Sequence, residues 1–131
     1  MQPYLFPYIS YFQLIKFVDR FVLYDDVAYI NRGWINRNRI KIADKAAIFT
    51  VPLSNGSQNI LIRDLRLAVS YKWKQKFLRT IEYNYKKAPF FEVTMHIIQE
   101  ILSIQTPFLR DWHIASFDLI NDYVKIGTHL I

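Results

Sequence analysis

The stretch RFVLYDD, residues 20–26, decides the fold expected for this chain. Its residues 21–24 form an unbroken apolar run that ends in two aspartates, Asp25 and Asp26. Continuous apolar runs of this length are typical of buried strands, because both faces of such a strand are covered by other elements. The pattern therefore predicts a buried strand with polar side chains at its carboxyl end.

The residues on either side predict a short helix before this strand and further β-structure after it. Pro3 and Pro7 favour an extended start, and the run YFQLIKFV at residues 11–18 is compatible with a helix. RIKIAD and AAIFTVPL predict a hairpin that turns at residues 44–45. The following stretch ILIRDLRLAV, residues 60–69, mixes apolar and charged residues as a half-buried strand does.

The second half of the chain predicts three amphipathic helices. Ser70 is a candidate N-cap for a helix over residues 71–87. A second helix is expected to begin at Pro89, and the Thr-Pro pair at residues 106–107 predicts the start of a third, which Gly127 ends. Helical spacing assigns these residues to the core: Trp73, Phe77 and Ile81; Val93, Ile97, Ile101 and Ile104; Trp112, Ala115, Leu119 and Tyr123.

These elements predict an α/β fold. The strand over residues 21–24 and the hairpin are expected to share one small sheet, which the carboxyl-terminal helices cover. A length of 131 residues corresponds to a single domain. The closing GTHLI predicts the beginning of another strand, and the opening residues lack a full first strand. The chain is therefore expected to be the amino-terminal part of a longer protein.

Composition excludes several classes of protein. Hydrophobic residues make up 52% of the chain, which excludes intrinsic disorder, and the lack of cysteine excludes disulfides, thiolate metal sites and cysteine nucleophiles. No apolar run reaches the roughly 18 residues that a membrane span needs, and the apolar start lacks the basic residues and cleavage site of a signal peptide. A cytoplasmic protein is predicted.

The strongest functional signal is DDVAYINRGWINRNRIK, residues 25–41. Arginine guanidinium groups bind carboxylates or phosphates with two parallel hydrogen bonds, and asparagines can donate and accept beside them. The aromatic face of Trp34 can stack on a base or sugar ring. The whole chain has a net charge of +6 but contains no nucleic-acid-binding motif. The segment is therefore better suited to an anionic small molecule, such as a nucleotide-linked donor, than to nucleic acid. The cationic candidates are Arg32, Arg37 and Arg39.

A structural interpretation of the same segment stays open. The three arginines could pair with Asp25, Asp26 and Asp44 while the asparagines cap turns. The two adjacent aspartates could also bind Mg²⁺, the one candidate cofactor. Neighbouring residues of an extended segment point to opposite faces, however, so at most one of them is expected to face a given ion. The histidines give no metal-ligand spacing, and His113 is expected to be half-exposed.

Three stretches carry a resemblance to a known family: QPYLFPYISYFQLI, VDRFVLYDDVAYINRGWINRNRI and WKQKFLRTIEYNYKKAPFFEV. Together they resemble the WbqC-like family of bacterial proteins over nearly the whole chain. The resemblance implies a longer protein that acts in O-antigen or other surface-polysaccharide synthesis, including glycine transfer. The chain has Ser10 where the family often has glycine, which weakens the expectation of a close backbone approach to a ligand there.

A second comparison concerns the fold. Residues 10–15 are similar to the Gly-His-x-x-x-Ile region of nucleotidylyltransferases, with Ser10 and Tyr11 in place of the glycine and histidine. This implies a nucleotidylyltransferase-like arrangement without catalysis by that histidine.

Two main hypotheses follow. The first is a transferase that moves an aminoacyl or similar group onto a nucleotide- or lipid-linked sugar. The second is a non-catalytic module that binds a nucleotide sugar or a partner enzyme through the same residues. In the transferase, Asp25 or Asp26 would act as base or magnesium ligand. The expected substrate-binding residues are Gln2, Tyr11, Arg32, Trp34, Asn36, Arg37 and Arg39.

Overall fold

The computed structural model describes residues 1–131 and combines four α-helices with two separate two-stranded sheets. None of its helices has both the length and the apolar character that crossing a membrane requires. In chain order, the elements are α1 (Ile9–Lys16), β1 (Arg20–Phe21), β2 (Arg37–Ile42), β3 (Lys45–Thr50), a 3-10 helix (Ile62–Asp64), α2 (Tyr71–Tyr85), α3 (Phe91–Ser103), α4 (Leu109–Val124) and β4 (His129–Leu130).

The first sheet is parallel and joins the two ends of the chain. β1 pairs with β4, and the pairing continues where the backbone N–H of Leu23 donates to the carbonyl of Ile131 over 2.9 Å. On the other side, the Met1 ammonium donates to the Val22 carbonyl over 2.8 Å, and the Tyr24 N–H donates to the Met1 carbonyl over 2.7 Å. Three chain segments therefore run parallel, with residues 20–24 in the middle.

The prediction of a buried strand at residues 21–24 is only partly right. The regular strand is limited to β1, and burial alternates: Phe21 is buried, whereas Val22 and Tyr24 are 52% and 51% exposed. An alternating pattern means that one face of this sheet packs on the core while the other faces solvent. The predicted strand near residues 127–131 is present as β4.

The second sheet is the antiparallel hairpin of β2 and β3, paired from Arg37↔Thr50 to Ile42↔Lys45. Its two turn residues are Ala43 and Asp44, one position earlier than predicted, and both have positive φ, 47° and 64°. Tight two-residue hairpin turns require positive φ because it matches the twist of the strands. The hairpin does not share a sheet with β1, contrary to the prediction.

The predicted strand at residues 60–69 is wrong. Ile62–Asp64 forms a 3-10 helix instead, and Ile62 and Leu65 are both fully buried. A spacing of three residues places two side chains on the same side of a 3-10 turn, whereas a strand would put them on opposite faces. The break in the alternating pattern between these residues therefore marks the 3-10 turn.

The observed helices agree more closely with the helices predicted from the sequence. Ser70 caps α2 as predicted, its Oγ accepting from the Trp73 N–H over 3.1 Å. α3 begins at Phe91, and its predicted inward face is displaced: Met95, Ile98, Ile101 and Leu102 are buried, and of the predicted four only Ile101 is. α4 ends at Val124, because Lys125, and not Gly127, adopts the left-handed conformation, with φ 57°.

Two apolar clusters form the core. The larger has 14 buried residues and lies between α2, α3, the 3-10 helix and the start of α4. The smaller consists of Tyr11, Phe12, Ile15, Phe21 and Phe117. α4 supplies side chains to both clusters, so it connects the parallel sheet to the other helices.

Candidate functional site

A cleft of about 340 Å³ opens at the carboxyl ends of the three parallel segments. Pro3, Asp25 and Ile131, one from each segment, form part of its wall. Ligands of open α/β sheets usually bind outside the carboxyl ends of parallel strands. The remaining polar wall comes from outside these segments: Arg63, Arg110, His113 and Asp118.

Asp25 and Arg110 form the electrostatic centre of the cleft. The Asp25 Oδ2 lies 4.0 Å from the Arg110 Nη1, and the Arg110 Nε lies 3.9 Å from the Asp111 Oδ1. Charge-assisted hydrogen bonds are typically about 2.7–2.9 Å long, so these contacts leave the guanidinium donors available to a ligand. Arg63 has no carboxylate within 4.0 Å, although its backbone N–H donates to the Asp25 carbonyl over 2.9 Å. The cleft therefore presents two guanidinium groups together with the carboxyl groups of Asp25 and Asp118.

His113 is buried in the wall of the cleft, which contradicts the prediction of a half-exposed side chain. Its Nε2 lies 2.7 Å from the Ile35 carbonyl. Because a carbonyl can only accept, Nε2 carries the hydrogen and Nδ1 has a free lone pair. Burial lowers the pKa of His113 from 6.5 to about 4, and its Nδ1 has no hydrogen-bond partner. The side chain is therefore a neutral imidazole with one unused acceptor.

Asp118 completes the polar wall five residues after His113 along α4. Partial burial, and secondarily the Asp122 carboxylate, raise the pKa of Asp118. Burial and a like charge both disfavour the ionised form of a carboxylic acid. The cleft thus contains two carboxyl groups in different environments.

The predicted cations form a separate cluster at the start of β2. The Arg37 Nη1 donates to the Arg32 carbonyl over 3.1 Å, and the Arg39 guanidinium lies 4.9 Å from the centre of the Trp34 ring. No carboxylate lies within 4.0 Å of these three guanidinium groups, since Asp25 is near Arg110 and Asp44 is near Lys41. The structural interpretation, in which the arginines pair with Asp25, Asp26 and Asp44, is wrong.

Asn36, predicted to orient a ligand, is buried and engaged within the protein. Its Oδ1 accepts from the Tyr29 hydroxyl and its Nδ2 donates to the Val51 carbonyl, both over 2.9 Å. The neighbouring Asn38 donates to the carbonyls of Leu5 and Phe6 over 2.9 and 2.6 Å. The Asn38 bonds fix residues 25–41, called the cationic segment from here on, against the amino-terminal segment that contains Leu5 and Phe6.

Tyr11 and Gln2 contact each other, with the Tyr11 hydroxyl donating to the Gln2 carbonyl. The Tyr11 ring is buried in the smaller core cluster, 5.6 Å from the Phe21 ring and 5.3 Å from the Phe117 ring. Burial raises the pKa of Tyr11 above its usual range. Its hydroxyl therefore stays neutral and is occupied by Gln2, which is itself half-buried.

The two adjacent aspartates point to different surroundings. Asp25 lines the cleft, whereas Asp26 is exposed and does not. No group of three or more histidine, aspartate or glutamate side chains comes together that could hold a metal ion. The protein alone therefore supplies no set of three such ligands to Mg²⁺.

The structure thus places Asp25 in the cleft, the arginines and Trp34 in a separate cluster, and Tyr11 and Asn36 in the interior. Sequence reasoning missed four residues of the cleft. A signal for two of them was present on α4, where Arg110 and Asp118 are separated by eight residues and so lie on one side of the helix. Arg63 and His113 have no comparable local signal. The missed residues are Arg63, Arg110, His113 and Asp118.

Comparison with known proteins supports the resemblance. A sequence model of the WbqC-like protein family matches residues 2–131. An uncharacterized protein of Mycobacterium tuberculosis is 39% identical over 126 residues, which are 95% of this chain and 54% of that protein. The chain therefore spans about half the length of this curated relative. No solved structure matches the chain, so a nucleotidylyltransferase-like fold stays a prediction. The chain belongs to the WbqC-like protein family.

Proposed function

We propose that this protein is a group transferase that binds a phosphate-containing, nucleotide-linked donor in the cleft and transfers an acyl group, such as an aminoacyl group, to a sugar of a surface polysaccharide. One observation carries the proposal: the cleft brings two arginines together with a carboxylate and a neutral histidine, at the carboxyl ends of parallel strands. Anion binding and proton transfer are both available there.

The roles follow from the chemistry of each group. Arg63 and Arg110 bind the donor phosphate. The nitrogen or oxygen of the acceptor attacks the acyl carbon and loses its proton to the Asp25 carboxylate. The bond from the acyl carbon to the phosphate oxygen then breaks, and its electron pair leaves with the phosphate. The two arginines stabilise that departing charge.

Family membership supports a role in surface-polysaccharide synthesis, as the resemblance to WbqC-like proteins implies. The chain is about half as long as its M. tuberculosis relative.

Binding is tested by thermal unfolding of the chain with a panel of nucleotide sugars and acyl-nucleotides. A ligand present at about 100 times its dissociation constant should stabilise the protein by about 2.7 kcal/mol. Arg110→Ala should weaken binding at least tenfold, or about 1.4 kcal/mol, whereas Arg79→Ala, an exposed arginine outside the cleft, should not. If no panel member stabilises the protein, or if both variants respond like wild type, the assignment of the cleft is wrong.

Catalysis is tested separately with Asp25→Asn. The substitution keeps the size of the side chain and removes the base. We expect the thermal shift with the best ligand to persist while transfer to a sugar acceptor falls by a factor of about 100 or more. Equal transfer rates for wild type and Asp25→Asn would contradict the role of Asp25 as base.

A further inference from the structure

A second concave surface lies between the amino-terminal segment, the hairpin and the helices. This apolar groove has a volume of about 560 Å³, and 17 of its 22 lining residues are hydrophobic. It shares no residue with the cleft. Six elements contribute aromatic or aliphatic side chains to it, for example Ile9 of α1, Phe49 of β3, Phe91 of α3 and Tyr123 of α4. Its size and lining are typical of small-molecule sites, which span about 300–1,000 Å³.

The groove has one charged residue, Arg39, and no acidic one. The Arg39 guanidinium stacks on Trp34 and has no carboxylate within 4.0 Å. The only side-chain amide of the groove, that of Asn38, already donates to the Leu5 and Phe6 carbonyls. A ligand therefore meets a mostly apolar surface with Arg39 as its one charged residue, whose guanidinium lies beside Trp34, outside the lining. This complements an amphiphile with a hydrocarbon chain and an anionic head.

We propose that the groove binds the alkyl chain of a lipid phosphate, with the phosphate on the Arg39 guanidinium. Arginine pairs readily with phosphate oxygens. A bound protein helix fits less well: with a diameter of about 10 Å and a pitch of 5.4 Å, one helical turn fills roughly 420 Å³. The groove would hold little more than one turn of a helix. A lipid phosphate bound here would be a second ligand, distinct from the donor in the cleft.

Dodecyl phosphate, below its micelle concentration, is a suitable probe. Its binding to the chain is measured by calorimetry and by tryptophan fluorescence, to which Trp34 contributes beside Arg39. Dodecanol supplies the alkyl chain without the anion, and inorganic phosphate supplies the anion alone. We expect dodecyl phosphate to bind at least tenfold more tightly than dodecanol, and inorganic phosphate to give no saturable signal. Equal binding of dodecanol and dodecyl phosphate would exclude the phosphate contact.

Two variants with matched controls locate the site. Ile9→Asn places an amide in the groove and Arg39→Ala removes its cation, and each should weaken dodecyl phosphate binding at least tenfold. Phe17→Asn and Lys45→Ala are the controls, because both residues are exposed and neither lines the groove. All four positions are solvent-exposed, so the circular dichroism spectrum should stay unchanged. The proposal is overturned if the variants bind like their controls, or if the chain is a dimer that Ile9→Asn converts to a monomer.

None of the four substitutions touches the cleft. The response to nucleotide-linked ligands and the binding of dodecyl phosphate are therefore separate readouts. A result that contradicts one proposal therefore does not contradict the other.

Discussion

Ile35 and Asn36 hold the cationic segment in place from two directions. The Ile35 carbonyl accepts from His113 on α4, while the Asn36 side chain bonds to Tyr29 and to the Val51 carbonyl. Leaving a buried polar group without its partner lowers the stability of the fold by about 1–3 kcal/mol. These bonds therefore hold the backbone of the arginine-containing segment in place. Internal asparagines thus position the cations, of which Arg37 also donates to the Arg32 carbonyl.

His113 makes the stability of the protein depend on pH. The unfolded chain has a histidine pKa near 6.5, and burial lowers the pKa of His113 to about 4 in the folded protein. Between these pH values the unfolded state binds more protons, so the free energy of unfolding decreases as the pH falls from 6.5 towards 4. The difference between the two pKa values corresponds to about 3 kcal/mol.

The measurement is urea unfolding of wild type and His113→Gln between pH 7.5 and pH 4.5. Gln can still donate to the Ile35 carbonyl but does not titrate. We expect wild type to lose more stability than His113→Gln on acidification, whereas His96→Gln, whose native side chain is 77% exposed, should follow wild type. Parallel curves for all three proteins would show that His113 is not buried as a neutral group.

At the scale of elements, local signals predicted the helices and the hairpin, and failed for the strand at residues 60–69 and for the pairing of segments distant in the sequence. α2 could be located because Ser70 and the spacing of Phe77 and Ile81 are both properties of one short stretch. The displaced face of α3 and the separate sheets depend on partners distant in the sequence, which no local pattern contains. In the cleft, Asp25 was predicted from its position after a strand, but Arg63 comes from a 3-10 turn that had been interpreted as a strand.

The N-cap of α2 gives a prediction at this scale. Ser70→Ala removes the acceptor of the Trp73 N–H and should destabilise the protein by about 1 kcal/mol, or about 4 °C in melting temperature. Ser70→Asp should restore most of this loss. Ser10→Ala is the control, because Ser10 is exposed within α1 and should change stability by less than about 0.5 kcal/mol. An unchanged melting temperature for Ser70→Ala would mean that the cap does not contribute.

At the scale of the whole molecule, α4 links the cleft and the groove. Its first half carries Arg110 and His113 in the cleft, and its last residues Tyr123 and Val124 line the groove. The same helix contributes Trp112 to the larger core cluster and Phe117 to the smaller. The position of the cleft relative to the groove is therefore set by one rigid element.

This arrangement predicts that the two core clusters unfold together. Phe117 is fully buried and packs against Tyr11 and Phe12, with ring centroids 5.3 and 6.0 Å apart. Phe117→Ala should cost about 3–5 kcal/mol, and exposed Phe17→Ala should cost less than about 0.5 kcal/mol. Tryptophan fluorescence reports mainly on the larger cluster, through Trp112 and the nearby Trp73, while circular dichroism reports on all helices.

Because α4 belongs to both clusters, losing Phe117 should shift the two unfolding curves to the same lower urea concentration, as a two-state transition requires. A tryptophan transition that stays at the wild-type midpoint while the circular dichroism signal moves would show that the clusters unfold separately. The parallel sheet, with the cleft at its edge, would then be a unit of lower stability that opens while the larger core remains folded.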